Sequence, residues 1–171
     1  MKIRPSTISL SAFIFLFFVT AISVFFFFSI VAPRAEAGIT VQPIEEAALD
    51  ALIKNKGNPL VVSFMAAWCG PCIDELPALN NLYRKYKGQG LKVIGISIDL
   101  EGAVAMQPVV SKLKIEFPVY WFGEKAIQKF NLSAIPLLLM VKQGEILERL
   151  PGQRHEKFLD KKVQELLTNN E

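Results

Sequence analysis

The fold of this chain is decided by residues 60–72, which read LVVSFMAAWCGPC. The apolar run at the start of this stretch is typical of a β-strand that is covered on both faces. A C-x-x-C motif follows, formed by Cys69 and Cys72, and Pro71 stands where a proline favours the first turn of a helix. The chain contains 2 cysteines, so any thiol chemistry takes place at this pair.

Apolar patterns of strand and helix type alternate along the rest of the chain. A hairpin is predicted across Lys142-Gln143-Gly144. Strands that alternate with helices, followed by a hairpin and a closing helix, predict a three-layer α/β domain with a mixed central sheet flanked by helices. The predicted helices cover 45–54, 71–87, 103–114, 124–130 and 156–168, and the predicted strands cover 60–64, 91–98, 117–121, 137–141 and 145–150. The side chains of the last helix predicted to face the core are Phe158, Leu159, Val163, Leu166 and Leu167.

The N-terminal segment, residues 1–37, has the composition of a membrane anchor or a signal peptide. Residues 8–32 are almost wholly apolar, and this run is longer than the roughly 18 residues that a membrane-spanning helix needs. The sequence Ala35-Glu36-Ala37 before Gly38 matches a signal-peptide cleavage pattern. Length favours the anchor and the cleavage pattern favours the signal peptide, so both interpretations stay open. Either one places the predicted domain, residues 38–171, outside the cytoplasm.

Charge and ligand-forming residues exclude two classes of function. The formal net charge is +3, and no basic stripe with interleaved aromatic residues is present, so nucleic-acid binding is not predicted. Two cysteines and the single histidine, His155, fall short of the roughly four ligands of a zinc site. We therefore expect no metal and no other cofactor.

The spacing of the two cysteines indicates disulfide exchange. A helix that starts at Pro71 places Cys69 at its N-terminus, where unpaired backbone N–H groups and the helix dipole stabilise a thiolate. Cys72 then lies inside the first turn and is shielded. Cys69 is accordingly predicted to attack a substrate disulfide and Cys72 to resolve the mixed disulfide. A disulfide across so short a loop adds little stability to a fold, which favours a working dithiol over a structural one.

Residues 60–77 resemble thioredoxin, with the motif WCGPC and with Pro77 five residues after the second cysteine. The N-terminal segment, the run PCIDELPAL at residues 71–79 and Phe117-Pro118-Val119 are more similar to the TlpA/ResA-like branch of that superfamily. Members of this branch are membrane-tethered, extracytoplasmic thiol-disulfide oxidoreductases of bacteria. The resemblance covers residues 40–168 and implies a thioredoxin-like fold.

The resemblance also implies roles for individual residues. Cys69 matches the nucleophile and Cys72 the resolving cysteine of the family. Pro136 falls where the family carries a cis-proline beside the cysteines, and the backbone of Ile135 is then expected to offer strand-like hydrogen bonds to a bound peptide. Apart from the resemblance, the place of Trp68 next to Cys69 predicts an exposed aromatic residue that contacts substrate proteins, and the alternative is a side chain that only packs against the fold.

Glu75 is the candidate base of the site. It lies three residues beyond Cys72, so a helix brings the two side chains onto neighbouring surface, where a carboxylate can accept the thiol proton. The TlpA/ResA-like proteins carry a glutamate at this position. The alternative is an exposed acid that the helix dipole stabilises. Thioredoxin itself carries a buried aspartate where this chain has Ser63, and since serine cannot act as the same base, Glu75 is the better candidate.

The function predicted from the sequence is that of an extracytoplasmic protein disulfide reductase. It takes electrons from a thiol donor in the membrane and reduces disulfides of secreted or cytochrome c-type proteins. The Gly70-Pro71 pair, shared with thioredoxin, favours the reducing direction. Two alternatives stay open, namely a disulfide-forming oxidant and a binding or chaperone module whose thiols regulate docking.

Overall fold

The structure is a computed structural model that describes residues 38–168. The predicted anchor or signal peptide, residues 1–37, lies outside the described residues. Within residues 38–168, no helix has the length and apolar character needed to cross a membrane.

The described residues form strands and helices in alternation, and every predicted element is confirmed. The strand predicted over 117–121 is shorter than expected, because it begins at Val119 rather than at Phe117. The short strand Gln42–Pro43 was not predicted, since its two residues carry no apolar pattern. In chain order the elements are β1 (Gln42–Pro43), α1 (Glu46–Ile53), β2 (Leu60–Met65), α2 (Gly70–Tyr86), β3 (Lys92–Ser97), α3 (Ala103–Lys112), β4 (Val119–Trp121), α4 (Lys125–Lys129), β5 (Leu137–Lys142), β6 (Glu145–Pro151) and α5 (Glu156–Thr168), with a 3₁₀ turn at Lys87–Gln89.

The strands form one 6-stranded sheet in the order β1-β4-β3-β2-β5-β6. The pairs β1–β4, β3–β4 and β2–β3 are parallel, whereas β2–β5 and β5–β6 are antiparallel. The predicted mixed sheet flanked by helices is therefore confirmed. Strand β2 lies between β3 and β5, and all of its residues are buried, which accounts for its continuous apolar run.

The closing helix α5 packs on the domain through one face. Leu159, Val163 and Leu166 are buried, as predicted. The inward placement predicted for Phe158 is wrong, because this side chain is 40% exposed. One residue is a rotation of about 100° around a helix, so a neighbour of the buried Leu159 turns away from the core.

Candidate active site

Cys69 and Cys72 form a disulfide at the start of α2. Cys69 is the N-cap residue of this helix, and its Sγ accepts a hydrogen bond from the backbone N–H of Cys72 at 3.2 Å. The predicted position of Cys69 at a helix N-terminus is confirmed. Cys69 is 6% exposed and Cys72 is 2% exposed, so Cys69 is the more accessible of the two residues. This is the order of access that attack by Cys69 and resolution by Cys72 require.

Glu75 lies one turn further along α2 and is buried, with 1% of its surface exposed. Its Oε1 accepts a hydrogen bond from the backbone N–H of Arg154 at 2.8 Å. Its Oε2 is also buried and accepts no hydrogen bond from the described residues. The alternative interpretation of Glu75 as an exposed acid is therefore wrong, because the carboxyl group packs beneath the segment that contains Arg154.

Burial raises the pKa of Glu75 to about 7 from an ordinary value of 4.5. Loss of hydration disfavours the ionised form, and this effect outweighs the backbone hydrogen bond from Arg154 and the positive charge of the Arg154 side chain. A carboxyl group with such a pKa changes its protonation state near neutral pH. Glu75 can therefore both accept and release a proton under physiological conditions.

Pro136 stands directly before β5, at the end of the sheet where β2 finishes and β5 begins. Leu137 lies opposite Phe64 in the antiparallel β2–β5 pair, so the residue before Leu137 lies toward the end of β2 that leads to the cysteines. The Ile135–Pro136 peptide bond is cis, which confirms the predicted conformation. Pro136 is buried and Ile135 is half-buried.

The segment after β6 connects Pro136 with Glu75. The backbone N–H of Gly152 donates to the carbonyl of Pro136 at 2.7 Å, and the N–H of Arg154 donates to Glu75. Two of the predicted site residues, which lie far apart in sequence, are thus held by one short segment. Sequence spacing gave no sign of this connection.

Trp68 precedes the N-cap cysteine and is 67% exposed, as predicted. Its ring therefore presents an apolar surface to solvent directly beside the disulfide. Ser63 is buried within β2, in the position where thioredoxin carries its aspartate. The hydroxyl of a serine supplies no basic group there, so Glu75 remains the buried acid closest in sequence to Cys72.

Asp99 is a buried acid near the site that sequence reasoning missed. It is 0% exposed and follows β3 at the same edge of the sheet. Its carboxylate accepts hydrogen bonds from the backbone N–H of Ala67, at 2.9 Å to Oδ1 and 3.2 Å to Oδ2, and from Ser97 Oγ at 2.7 Å. An acid placed just after a buried parallel strand, where the strand ends of such sheets carry functional groups, was the available signal.

A comparison with protein families is consistent with this geometry. The model of the AhpC/TSA family matches residues 32–146, which is more than half of the chain. The chain belongs to the AhpC/TSA family. The matched residues include the disulfide, Glu75 and the Ile135–Pro136 bond, so the candidate site lies inside the part of the chain that carries the family likeness.

Within the AhpC/TSA family, the chain is similar to thiol-disulfide oxidoreductases. It is 30% identical over 113 residues to the thiol-disulfide oxidoreductase ResA of a Bacillus cereus strain. The match covers 65% of this chain and 65% of that protein, so the chain spans slightly less than two thirds of its relative. The predicted resemblance to the TlpA/ResA-like branch is confirmed.

Solved structures confirm the thioredoxin-like fold of this AhpC/TSA-family chain. A thiol:disulfide interchange protein of the thioredoxin family from Chlorobium tepidum TLS superposes with a TM-score of 0.61 at 24% identity, over 69% of this chain and 84% of that chain. A thioredoxin-like protein from Porphyromonas gingivalis superposes with a TM-score of 0.58 at 30% identity, over 68% of this chain and 80% of that chain.

Proposed function

We propose that this protein is an extracytoplasmic thiol-disulfide oxidoreductase that reduces disulfides of secreted or cytochrome c-type proteins. The observation that carries the proposal is the Cys69–Cys72 disulfide at the N-terminus of α2. A disulfide in this position can be opened and closed, and the helix N-terminus stabilises the thiolate that does the chemistry. The similarity to a protein named thiol-disulfide oxidoreductase ResA supports the same reaction.

The reaction starts from the reduced protein and transfers two electrons. The Cys69 thiolate attacks one sulfur of the substrate disulfide, so that a mixed disulfide forms and the other substrate sulfur leaves as a thiolate. Cys72 then loses its proton and attacks Cys69 Sγ, which forms the Cys69–Cys72 disulfide and releases the second substrate sulfur. The protein dithiol is oxidised and the substrate disulfide is reduced to two thiols.

Glu75 is proposed to accept the proton of Cys72 in the second step. Cys72 is buried, so its thiol has little access to bulk water, and Glu75 lies one helical turn away on the same helix. The pKa of Glu75, raised to about 7 by burial, lets the carboxyl group take up a proton near neutral pH. The TlpA/ResA-like proteins, which the chain resembles, carry a glutamate at this position.

Two residues are proposed to contact the substrate. Trp68, the neighbour of Cys69 in sequence, offers an exposed apolar surface. The half-buried Ile135 precedes the cis bond to Pro136 and is proposed to pair its backbone with an extended substrate segment. The substrate class is therefore a protein segment that carries a disulfide.

Each turnover leaves the protein oxidised, so a donor must return two electrons to the Cys69–Cys72 pair. Residues 38–171 are proposed to lie on the extracytoplasmic side, and the donor is then a thiol protein of the membrane. Reporter fusions after Gly38 are expected to be active only outside the cytoplasm. Mass analysis of the protein from its host separates an anchor, which retains residues 1–37, from a signal peptide, which leaves Gly38 as the N-terminus. A cytoplasmic reporter signal would contradict the location.

The exchange reaction is tested with the full-length protein, dithiothreitol as donor and insulin with its disulfides intact as substrate. Cys69→Ser is expected to abolish reduction, whereas reduced Cys72→Ser, mixed with insulin after the dithiothreitol is removed, is expected to accumulate mixed disulfides through Cys69. If Cys69→Ser accumulates them and Cys72→Ser does not, the roles of the two cysteines are reversed.

The direction of electron flow is tested by equilibrating the Cys69–Cys72 couple with glutathione. A reductase is expected to have a potential nearer to the roughly −270 mV of thioredoxin than to the roughly −120 mV of the oxidant DsbA. A potential near the latter value would instead make the protein a disulfide-forming oxidant.

A further inference from the structure

Asp99 joins the two strand ends that border the disulfide. Strands β2 and β3 are parallel with Met65 opposite Ser97, and the N–H of Ile98 donates to the carbonyl of Met65 at 3.0 Å. The chain segments that leave the two strands therefore run side by side. Asp99 extends its carboxylate across this gap to the backbone N–H of Ala67.

The carboxylate of Asp99 is itself held by the sheet. Ser97, the last residue of β3, donates its hydroxyl to Asp99 Oδ2 at 2.7 Å. The indole N–H of Trp121, at the end of β4, donates to the backbone carbonyl of Asp99 at 2.6 Å. Because both the side chain and the backbone of Asp99 are anchored, its position follows that of the sheet rather than that of the active-site segment.

The hydrogen bond at Ala67 fixes the backbone two residues before the nucleophile, Cys69. A single residue, Trp68, separates Ala67 from Cys69, and the N–H of Cys69 donates to the carbonyl of Ala66 at 3.1 Å. This tight turn leaves little slack, so a shift at Ala67 is passed to Cys69 and changes the placement of its sulfur at the helix N-terminus. Hydrogen bonds to an ionised carboxylate are roughly twice as strong as neutral ones, which suits a group that has to fix a backbone position.

We propose that Asp99 is a positioning residue for disulfide exchange: through the N–H of Ala67 it fixes the segment that carries Cys69. The inference rests on the proposed function, because it concerns the same nucleophile. Asp99 does not touch the reacting sulfurs in this role, and its contribution lies in the number and direction of the hydrogen bonds that it accepts.

The test compares Asp99→Ala with Asp99→Asn in the full-length protein. The alanine variant loses the acceptor for the Ala67 N–H, whereas asparagine retains one oxygen in the same place. The first readout is the rate of insulin reduction. The second is the pH dependence of Cys69 alkylation by iodoacetamide in a Cys72→Ser background, which reports thiolate formation without any substrate protein.

Asp99→Ala is expected to slow insulin reduction about tenfold, since a displacement of about 1 Å at a reacting group costs up to about 10²-fold in rate. The pKa of the Cys69 thiol is expected to rise in the same variant, because the sulfur moves away from the helix N-terminus. Asp99→Asn is expected to stay within about threefold of the wild type in rate, because a carboxamide oxygen accepts the same hydrogen bond.

Asn80→Ala is the matched control. Asn80 is also buried, and it also pins a distant backbone through its side chain, to Lys114 O at 3.1 Å and Glu116 N at 2.9 Å. It lies two turns beyond Cys72 on α2, so its loss is expected to lower stability without changing the alkylation profile of Cys69. An equal drop in rate for Asn80→Ala and Asp99→Ala, at equal folded fraction, would overturn the proposal.

Two further outcomes also overturn it. If Asp99→Asn is as slow as Asp99→Ala, the negative charge rather than the hydrogen bond matters. If Asp99→Ala does not fold, Ser97→Ala is the deciding variant, since it removes a hydrogen bond to the carboxylate while Asp99 stays in place. A Ser97→Ala rate and alkylation profile equal to those of the wild type would refute positioning. A slower rate and a raised pKa of the Cys69 thiol, both smaller than the changes expected for Asp99→Ala, would support it. Failure of the wild-type protein to exchange disulfides would refute the proposed function, whereas the alkylation profile of Cys69 still reports on Asp99.

Discussion

Glu75 and Asp99 are both buried acids near the Cys69–Cys72 disulfide, and they are the acids buried among residues 38–168. Both oxygens of Asp99 accept hydrogen bonds. In Glu75 one oxygen accepts a hydrogen bond and the other accepts none from the described residues. Hydrogen bonds engage both oxygens of Asp99, whereas burial raises the pKa of the half-bonded Glu75 to about 7. The roles proposed for the two acids differ accordingly: Asp99 fixes a backbone position and Glu75 exchanges a proton.

The largest effect that tests this contrast is on stability as a function of pH. Glu75 has an ordinary pKa of 4.5, expected for the unfolded chain, and a pKa of about 7 in the folded protein. The folded state therefore binds the proton more tightly, so the stabilisation is complete below pH 4.5 and is lost as pH rises through 7. At 1.36 kcal/mol per pKa unit the loss is about 3 kcal/mol.

Urea unfolding of the oxidised protein at pH 4 and pH 8 measures this loss. Glu75→Gln has no carboxyl group at this position, so its stability relative to the wild type is expected to improve by about 3 kcal/mol between the two pH values. Asp74→Asn is the control, because Asp74 is an acid on the same helix that is exposed to solvent. Parallel curves for the wild type and Glu75→Gln would contradict the raised pKa of Glu75.

The second effect is on the rate at which Cys72 resolves the mixed disulfide. Glu75→Gln preserves size and the acceptor for the Arg154 N–H but removes the basic group. General bases contribute about 10²–10⁴-fold, and because water substitutes in part we expect a loss at or below about 10²-fold. The wild-type rate is expected to rise with pH around 7, as Glu75 becomes ionised and able to accept the proton of Cys72.

Stopped-flow measurement of Cys72 attack across pH tests this expectation. Asp74→Asn again serves as the control and is expected to follow the wild-type profile. Equal rates and equal pH profiles for the wild type and Glu75→Gln would leave Glu75 with a structural role only.

The contrast between the two acids also separates what sequence can predict from what it cannot. Residues 60–72 carry a buried strand, a helix start and a C-x-x-C within one short stretch, so the local pattern predicted the fold and the disulfide. The spacing of Glu75 from Cys72 predicted their proximity because both lie on one helix. Each of these predictions depends only on residues that are close together in sequence.

The burial of Glu75 depends on Arg154, which lies 79 residues further along the chain. The role of Asp99 likewise depends on Ala67 at a separation of 32 residues. Such hydrogen bonds have no periodicity and no motif, so the sequence pattern left Glu75 open between two interpretations and did not single out Asp99. Strand β1 was missed for the same reason, because its pairing with β4 comes from the tertiary structure.

A smaller effect is expected from removing the Ser97 hydroxyl, which donates to Asp99 Oδ2 and accepts from the Asp99 N–H at 3.3 Å. Ser97→Ala deletes the donor at 2.7 Å and leaves Asp99 Oδ2 with the longer contact of 3.2 Å to Ala67. Hydrogen bonds to charged groups contribute about 1.5–3 kcal/mol, and since one contact remains we expect a loss near the low end. Urea unfolding at pH 7 measures it, with Ser111→Ala as an exposed serine control that is expected to change stability by less than about 0.5 kcal/mol. An unchanged free energy of unfolding for Ser97→Ala would show that the hydrogen bonds of the Ser97 hydroxyl do not hold Asp99 in place.

The smallest effect concerns how Arg154 sets the pKa of Glu75. Arg154 acts twice, through its backbone N–H and, to a lesser extent, through the charge of its side chain, and both lower the pKa that burial raises. Arg154→Gln retains the N–H and removes the charge, so the pKa of Glu75 is expected to rise further.

Titration of the Glu75 side-chain carbon by ¹³C NMR in the oxidised protein measures this change in pKa. Lys157→Gln is the control for the loss of an exposed cation close to Arg154 in sequence. Salt screens a partly exposed charge but not a backbone hydrogen bond, so added salt should move the wild-type pKa toward that of Arg154→Gln and leave the variant unchanged. An Arg154→Gln titration that coincides with the wild type would assign the whole effect of Arg154 to its backbone N–H, and burial and that hydrogen bond would then set the pKa of Glu75.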